Sequence, residues 1–187
     1  MTPSFHSEHG EDRWIFENLK LPQKGVYVDI GCAHPVDSSN TAFLREMGWT
    51  GIGIDANPQW APEWKEGEFV CAVLSDQPTA RWRVNPVGHP YASRIDPAAP
   101  EVPATNLEMV IQAHSIEKID LLSIDVEGHE FWVLSTLDFF KHRPRIIIAE
   151  YDTAGIGKDF RVLEALTRYK GYRDVHKTPS NYIFTRL

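Results

Sequence analysis

Cysteine is scarce in this sequence: Cys32 and Cys71 are the only two among 187 residues. They give no disulfide framework and no metal-knuckle spacing, so a reducing cytoplasmic setting is expected. No apolar run approaches bilayer-spanning length, and the start MTPSFHSEHGEDRW lacks the apolar core of a secretion signal. No membrane association is expected. Basic charge is in deficit, with a formal net charge of -7. General nucleic-acid binding needs a basic footprint and is not expected, although a local patch would still suit an RNA substrate. The glycine spacing GxGxxG is also missing, since Cys32 and Ala33 follow Gly31. That loop suits a dinucleotide pyrophosphate poorly and a smaller nucleoside-like ligand better.

The apolar fraction of 42% and charged fraction of 24% fit a soluble globular chain. The length fits a single domain over residues 1–187 with its own core. Apolar, β-rich runs recur as GVYVDIG, TGIGIDAN, EFVCAVLSD, KIDLLSID and RIIIAEYD. Helical patterns stand between them: GEDRWIFENL before the first, then SNTAFLREMGW, NLEMVIQAHSI and EFWVLSTLDFF. KDFRVLEALTRYKGY follows, with Phe160, Leu163, Leu166 and Tyr169 expected on one face. YRDVHK and NYIFTRL flank TPSN, which reads as a closing antiparallel hairpin. ARWRV reads as an extra strand. Residues 85–105 carry Pro86, Pro90, Pro97, Pro100 and Pro103, and are expected to be a surface excursion. The alternation predicts an α/β fold: a mostly parallel sheet with helices on both faces.

In such sheets ligands bind beyond the carboxyl ends of the strands. Five strands here end in acid at that edge: Asp29, Asp55, Asp76, Asp125 and Glu150. Gly31 closes the first strand, where a ligand must approach the backbone closely. Asp55, about two dozen residues on, is placed to accept hydrogen bonds from ribose hydroxyls; a helix N-cap is the competing reading. Ser75 and Asp76 suit an adenine amino group or a plain Ser-Asp turn. His129 lies among strand-tip acids, or is an ordinary first-turn residue, with Glu130 a favourable acid at a helix start. Glu150 ends an isoleucine run, where desolvation raises a carboxyl towards use as a base. Asp125, His129, Glu150 and Asp152 have the chemistry for a divalent ion. With no compact signature such as HExxH, no metal ligands are assigned and a metal is the less favoured alternative. Trp60, Trp64, Trp82 and Tyr91 either floor a substrate pocket or simply pack.

Taken together, SEHGED, VYVDIGCAHP, SNT, GWTGIGIDANP, LSD, IDLLSIDVEGHE, IIIAEYD and the terminal GY and NYIF resemble an FkbM-type methyltransferase over residues 7–184. The resemblance implies a Rossmann-like class I methyltransferase fold, with seven strands and an antiparallel C-terminal hairpin. It implies S-adenosylmethionine as cofactor. The cofactor-binding set is then Asp29, Gly31, Cys32 and Asn40 near the methionine end, and Asp55, Ala56 and Asn57 at the ribose. Ser75 and Asp76 flank adenine, and Asp125 faces the amino group or sulfonium. Expected chemistry is O-methylation of a small-molecule or sugar hydroxyl. His129 is the first candidate base, Glu150 the second, and Asp125 a positioner. Residues 85–105 are the variable substrate side. So short a chain leaves room for a small pocket, or for one completed by a partner such as a second copy. The rival readings are a nicotinamide-dependent oxidoreductase and a non-catalytic binding module.

Overall fold

The computed structural model describes residues 2–78, 81–86, 93–95, 101–153 and 157–187. Helix α1 (Glu11–Asn18) leads to β1 (Val26–Ile30), α2 (Ala42–Glu46) and β2 (Thr50–Asp55). A 3-10 helix (Pro58–Glu63) precedes β3 (Phe69–Cys71). A second set follows: β4 (Val73–Leu74), β5 (Arg81–Pro86), β6 (Ser93–Ile95) and β7 (Glu101–Thr105). Then come α3 (Leu107–Ala113), β8 (Leu121–Ile124), α4 (Glu130–Ser135), α5 (Phe139–His142) and β9 (Ile146–Glu150). The chain continues through β10 (Asp152–Thr153), β11 (Gly157–Lys158), α6 (Arg161–Tyr169), β12 (Tyr172–Lys177) and β13 (Asn181–Arg186).

The main sheet has seven strands in the order β12-β13-β9-β8-β1-β2-β3. Strands β3, β2, β1, β8 and β9 are parallel, while β13 runs antiparallel between β9 and β12. Strands β8 and β9 are buried at every position, which is why they read as unbroken apolar runs rather than alternating ones. Two apolar layers cover the sheet. Val28, Ile30, Leu122, Ile124 and Ile147 pack with α3, α4 and α6 through Val110, Val133 and Leu166. Tyr27, Leu121, Ile146 and Ile148 pack with α1 and α2 through Ile15, Phe43 and Leu44. Helices on both faces and a C-terminal antiparallel hairpin are as expected. No helix among the described residues is long and apolar enough to cross a membrane.

Three local expectations change. The run Phe69–Asp76 is not one strand: β3 stays in the main sheet, and the chain departs at Ala72, whose N–H donates to the Asp55 carbonyl at 3.0 Å. The Pro-rich stretch is not only loop, because β4, β7, β5 and β6 form a four-stranded sheet. Pro103 is tolerated in β7 because β5 pairs with Glu101–Pro103 and β4 with Ala104–Thr105, so no residue of β7 is paired on both sides. Pro90, Tyr91, Pro97 and Pro100 lie outside the described residues. Helix α6 buries Val162 and Leu166 rather than the expected stripe; Phe160 precedes the helix at 48% exposure and Tyr169 ends it at 72%.

Candidate active site

Strand β1 lies between β2 and β8. The chain leaves it in one direction and returns on its other side, which creates the crevice where such sheets take ligands. Gly31 stands at that point with φ +73°. A Cβ there would lie 1.6 Å from the Asp125 carbonyl oxygen, so only glycine lets the loops after β1 and β8 meet. Three strand ends are laced together. Asp125 N–H donates to Ile30 O at 2.9 Å, and the N–H groups of Gly31 and Cys32 donate to Ile54 O at 2.8 and 3.3 Å.

Asp55 ends β2 and fastens two loops at once. Its carboxylate accepts from Ala33 N–H at 2.9 Å and Asn57 N–H at 2.7 Å. Burial raises its pKa, and those two bonds oppose the rise. The N-cap, the competing reading for Asp55, is Asn57, whose Oδ1 accepts from Gln59 N–H at 3.2 Å at the start of the 3-10 helix. Asn57 is 3% exposed and its Nδ2 has no hydrogen-bond partner. Ala56 lies between them. Asp29 shares the face of β1 that carries Tyr27: it is buried and accepts from Thr41 Oγ1 at 2.6 Å. Desolvation raises its carboxyl, against Thr41, Arg45 and Ser123, which lower it. Asn40 Nδ2 donates to Ser123 Oγ at 3.2 Å, tying the loop before α2 to β8. Cys32 is buried, and desolvation with the charges of Asp29 and Asp55 holds its thiol well above the ordinary range. It is therefore no thiolate nucleophile at neutral pH. Ser75 and Asp76 follow β4, which belongs to the four-stranded sheet, so Asp76 does not end a strand of the main sheet as expected. Ser75 is buried, its N–H donating to Thr105 O, and Asp76 is exposed.

On the other side of β1, the ends of β8 and β9 bring acids together. Oxygen atoms of Asp125, Glu130 and Glu150 lie within 4.8 Å of one another. The sequence marks Glu130 only as a favourable acid at a helix start. The left-handed turn at Glu127 (φ 58°) and Gly128 (φ 95°) folds it back. Its Oε1 then accepts from Val126 N–H at 2.8 Å and Gly128 N–H at 3.1 Å. The signal was the EG dipeptide two residues before it. The carboxyl of Asp125 is raised well above its ordinary value by desolvation and by repulsion from Glu150, Glu127 and Glu130; it also hydrogen-bonds Glu150. Solvent reaches Asp125, so repulsion carries more of that rise than desolvation. His129 is the half-buried N-cap residue of α4, next to Glu130. Asp152 turns to Lys158 at 3.8 Å, away from any shared ligand set. Trp64 packs under the β1 loop, its Nε1 donating to Ala33 O at 2.9 Å.

The strand order, the antiparallel insertion of β13 and the acid-edged crevice at β1 define a Rossmann-like methyltransferase fold. Residues 29–173 match the methyltransferase FkbM domain. The chain belongs to that family, and the family implies S-adenosylmethionine as methyl donor. No curated protein matches the chain. Among solved structures, the crystal structure of a fibrillarin/Nop5p complex is similar, at 10% identity and a TM-score of 0.49, over 100% of this chain and 93% of that one.

The crevice has the chemistry such a donor needs. S-adenosylmethionine carries a sulfonium, an ammonium and a ribose diol. The crevice offers a close-approach glycine, a pre-fastened Asp55, the buried unpartnered Nδ2 of Asn57 and an acidic edge.

Proposed function

We propose that this protein transfers a methyl group from S-adenosylmethionine to a hydroxyl oxygen of a small molecule or sugar. The observation that carries the reading is the acid pair Asp125 and Glu150, at the ends of the two strands beside the glycine cradle at β1. The cradle side suits the donor: Asp55 with Ala56 and Asn57 at the ribose, Ser75 and Asp76 beside adenine. Gly31, Cys32 and Asn40 line the methionine end, and Asp29 fixes that wall from within.

S-adenosylmethionine supplies the methyl carbon on a positive sulfur. In the transfer an O–C bond forms, the C–S bond breaks, and the hydroxyl proton leaves to a base. Holding the three atoms in line accounts for most of such catalysis. Proton removal adds about 10²–10⁴-fold. His129 is the assigned base and Glu150 the second choice, with Asp125 orienting the acceptor and facing the donor's cationic end. The bonds that tie Glu130 to the backbone of the β8 loop keep this edge rigid.

A radiolabelled methyl-transfer screen against extracts and purified glycosides tests the proposal, paired with calorimetric titration of S-adenosylmethionine and of NAD. Donor binding and label in a hydroxyl-bearing product are expected. Binding of NAD alone would replace the reading with an oxidoreductase. Label on nitrogen would overturn the O-methyl assignment.

A further inference from the structure

The rim after β8 and β9 gathers three carboxyl groups at one place. Asp125, Glu130 and Glu150 converge within 4.8 Å, and the last two are 2% and 8% exposed. Acid alone does not make a site, but a fourth oxygen stands beside these. Asn181 opens β13, is 8% exposed and lies directly across from Glu150 in the register with β9. Opposed residues of an antiparallel pair project from the same face as neighbours.

The amide of Asn181 is oriented from outside. Its Nδ2 donates to Glu11 Oε1 at 2.9 Å, and that oxygen also accepts from Thr178 Oγ1 at 2.7 Å. Reversing the amide would set Oδ1 against the Glu11 carboxylate, so the orientation is fixed by charge. Glu11 and Thr178 lie on the β12 side of Asn181. Its Oδ1 is therefore turned to the β9 side, where Glu150 stands. There Oδ1 is buried without a hydrogen-bond partner. An unsatisfied buried acceptor is destabilising, and a ligand there would relieve it.

We propose that Asp125, Glu130, Glu150 and Oδ1 of Asn181 form a site for a hard divalent cation, Mg²⁺ or Mn²⁺. An all-oxygen donor set suits such hard ions. Glu130 keeps Oε2 for the ion while its Oε1 holds the loop, and Glu11 orients Asn181 as outer partners orient metal ligands. The ion sits on the acceptor side of the crevice, away from Asp55. There it binds the acceptor hydroxyl and eases its deprotonation. That last role rests on the methyltransferase reading; the binding of the ion does not.

The test is a titration of metal-stripped protein with Mn²⁺ alone, read by the electron paramagnetic resonance of free Mn²⁺. Saturable binding of a single ion per chain is expected, displaced by Mg²⁺ and accompanied by a higher unfolding temperature. Asp125→Asn tests the site at a position solvent reaches, and Asn181→Ser tests the fourth oxygen. Each is expected to weaken Mn²⁺ about tenfold or more, with thermal unfolding in the absence of metal checking the fold. Absence of binding at millimolar Mn²⁺ overturns the proposal, as does equal binding by all three proteins, which would mark an adventitious ion only. Binding of S-adenosylmethionine without Mn²⁺ binding also overturns it, while leaving the methyltransferase reading standing. Mn²⁺ binding without donor binding would support the cation site and count against the donor.

Discussion

Replacing Gly31 by alanine tests the crevice at its tightest point. The new Cβ would stand 1.6 Å from the Asp125 carbonyl oxygen and 2.8 Å from its carbon, and neither backbone atom can swing aside. The left-handed backbone at φ +73° costs an L-residue about 1–2 kcal/mol. Relieving the clash parts the loops and sacrifices Gly31 N–H to Ile54 O and Asp125 N–H to Ile30 O, at about 0.5–1.5 kcal/mol each. The total is about 2–5 kcal/mol. Gly48 supplies the control: its φ is +81° and nothing lies within 4 Å of its would-be Cβ. Gly48→Ala therefore carries only the backbone cost of about 1–2 kcal/mol. At about 2–4 °C per kcal/mol for a chain of this size, Gly31→Ala should melt several degrees below Gly48→Ala. Calorimetric titration should show S-adenosylmethionine binding lost in the first and kept in the second. Equal melting temperatures, or intact donor binding by Gly31→Ala, would refute the account of the cradle.

Three further outcomes are expected. Asp55→Asn must turn its NH₂ towards Ala33 N–H or Asn57 N–H, so one loop comes loose; donor affinity should fall about tenfold or more by calorimetry. His129→Ala should lower turnover about 10²–10⁴-fold with donor affinity nearly intact, and an unchanged rate at saturating substrates would remove His129 from the mechanism. Glu108 is partly desolvated, which raises its carboxyl, yet donors from Gln112, His142, Asp138 and Lys141 bring it down to about 2. A carboxyl lowered on folding stabilises the protein above its unfolded pKa, and that stability is lost as pH falls from about 4.5 towards about 2. Glu108→Gln should flatten this part of the acid-unfolding curve, and an unaltered curve would show that the carboxylate is not linked to folding.

Much of the fold was legible because parallel strands buried on both faces leave a plain trace. Ile146–Ile148 and Leu121–Leu122 could only be interior, and the acids at their ends marked one edge. Asp55 was legible as a strand-tip acid, though its grip on Ala33 was not. The rest depended on contacts that no local pattern encodes. Glu11 meets Asn181 across 170 positions. Glu130 joins Asp125 and Glu150 only because a left-handed turn folds it back. The third strand breaks at Ala72 although its apolar run continues to Leu74, because β2 offers partners only to Cys71. Helix α6 has apolar residues on more than one side, and its packing chose Val162 and Leu166.

The position of β13 bears on how the protein is made. Residues 181–186 fill the gap between β9 and β12, although they are synthesised after the other six strands of that sheet. Until they emerge from the ribosome, β9 presents its bare backbone edge to whatever is near. A nascent chain paused before Asn181 is thus an adhesive intermediate, and a chaperone that shields β9 would act on that interval alone.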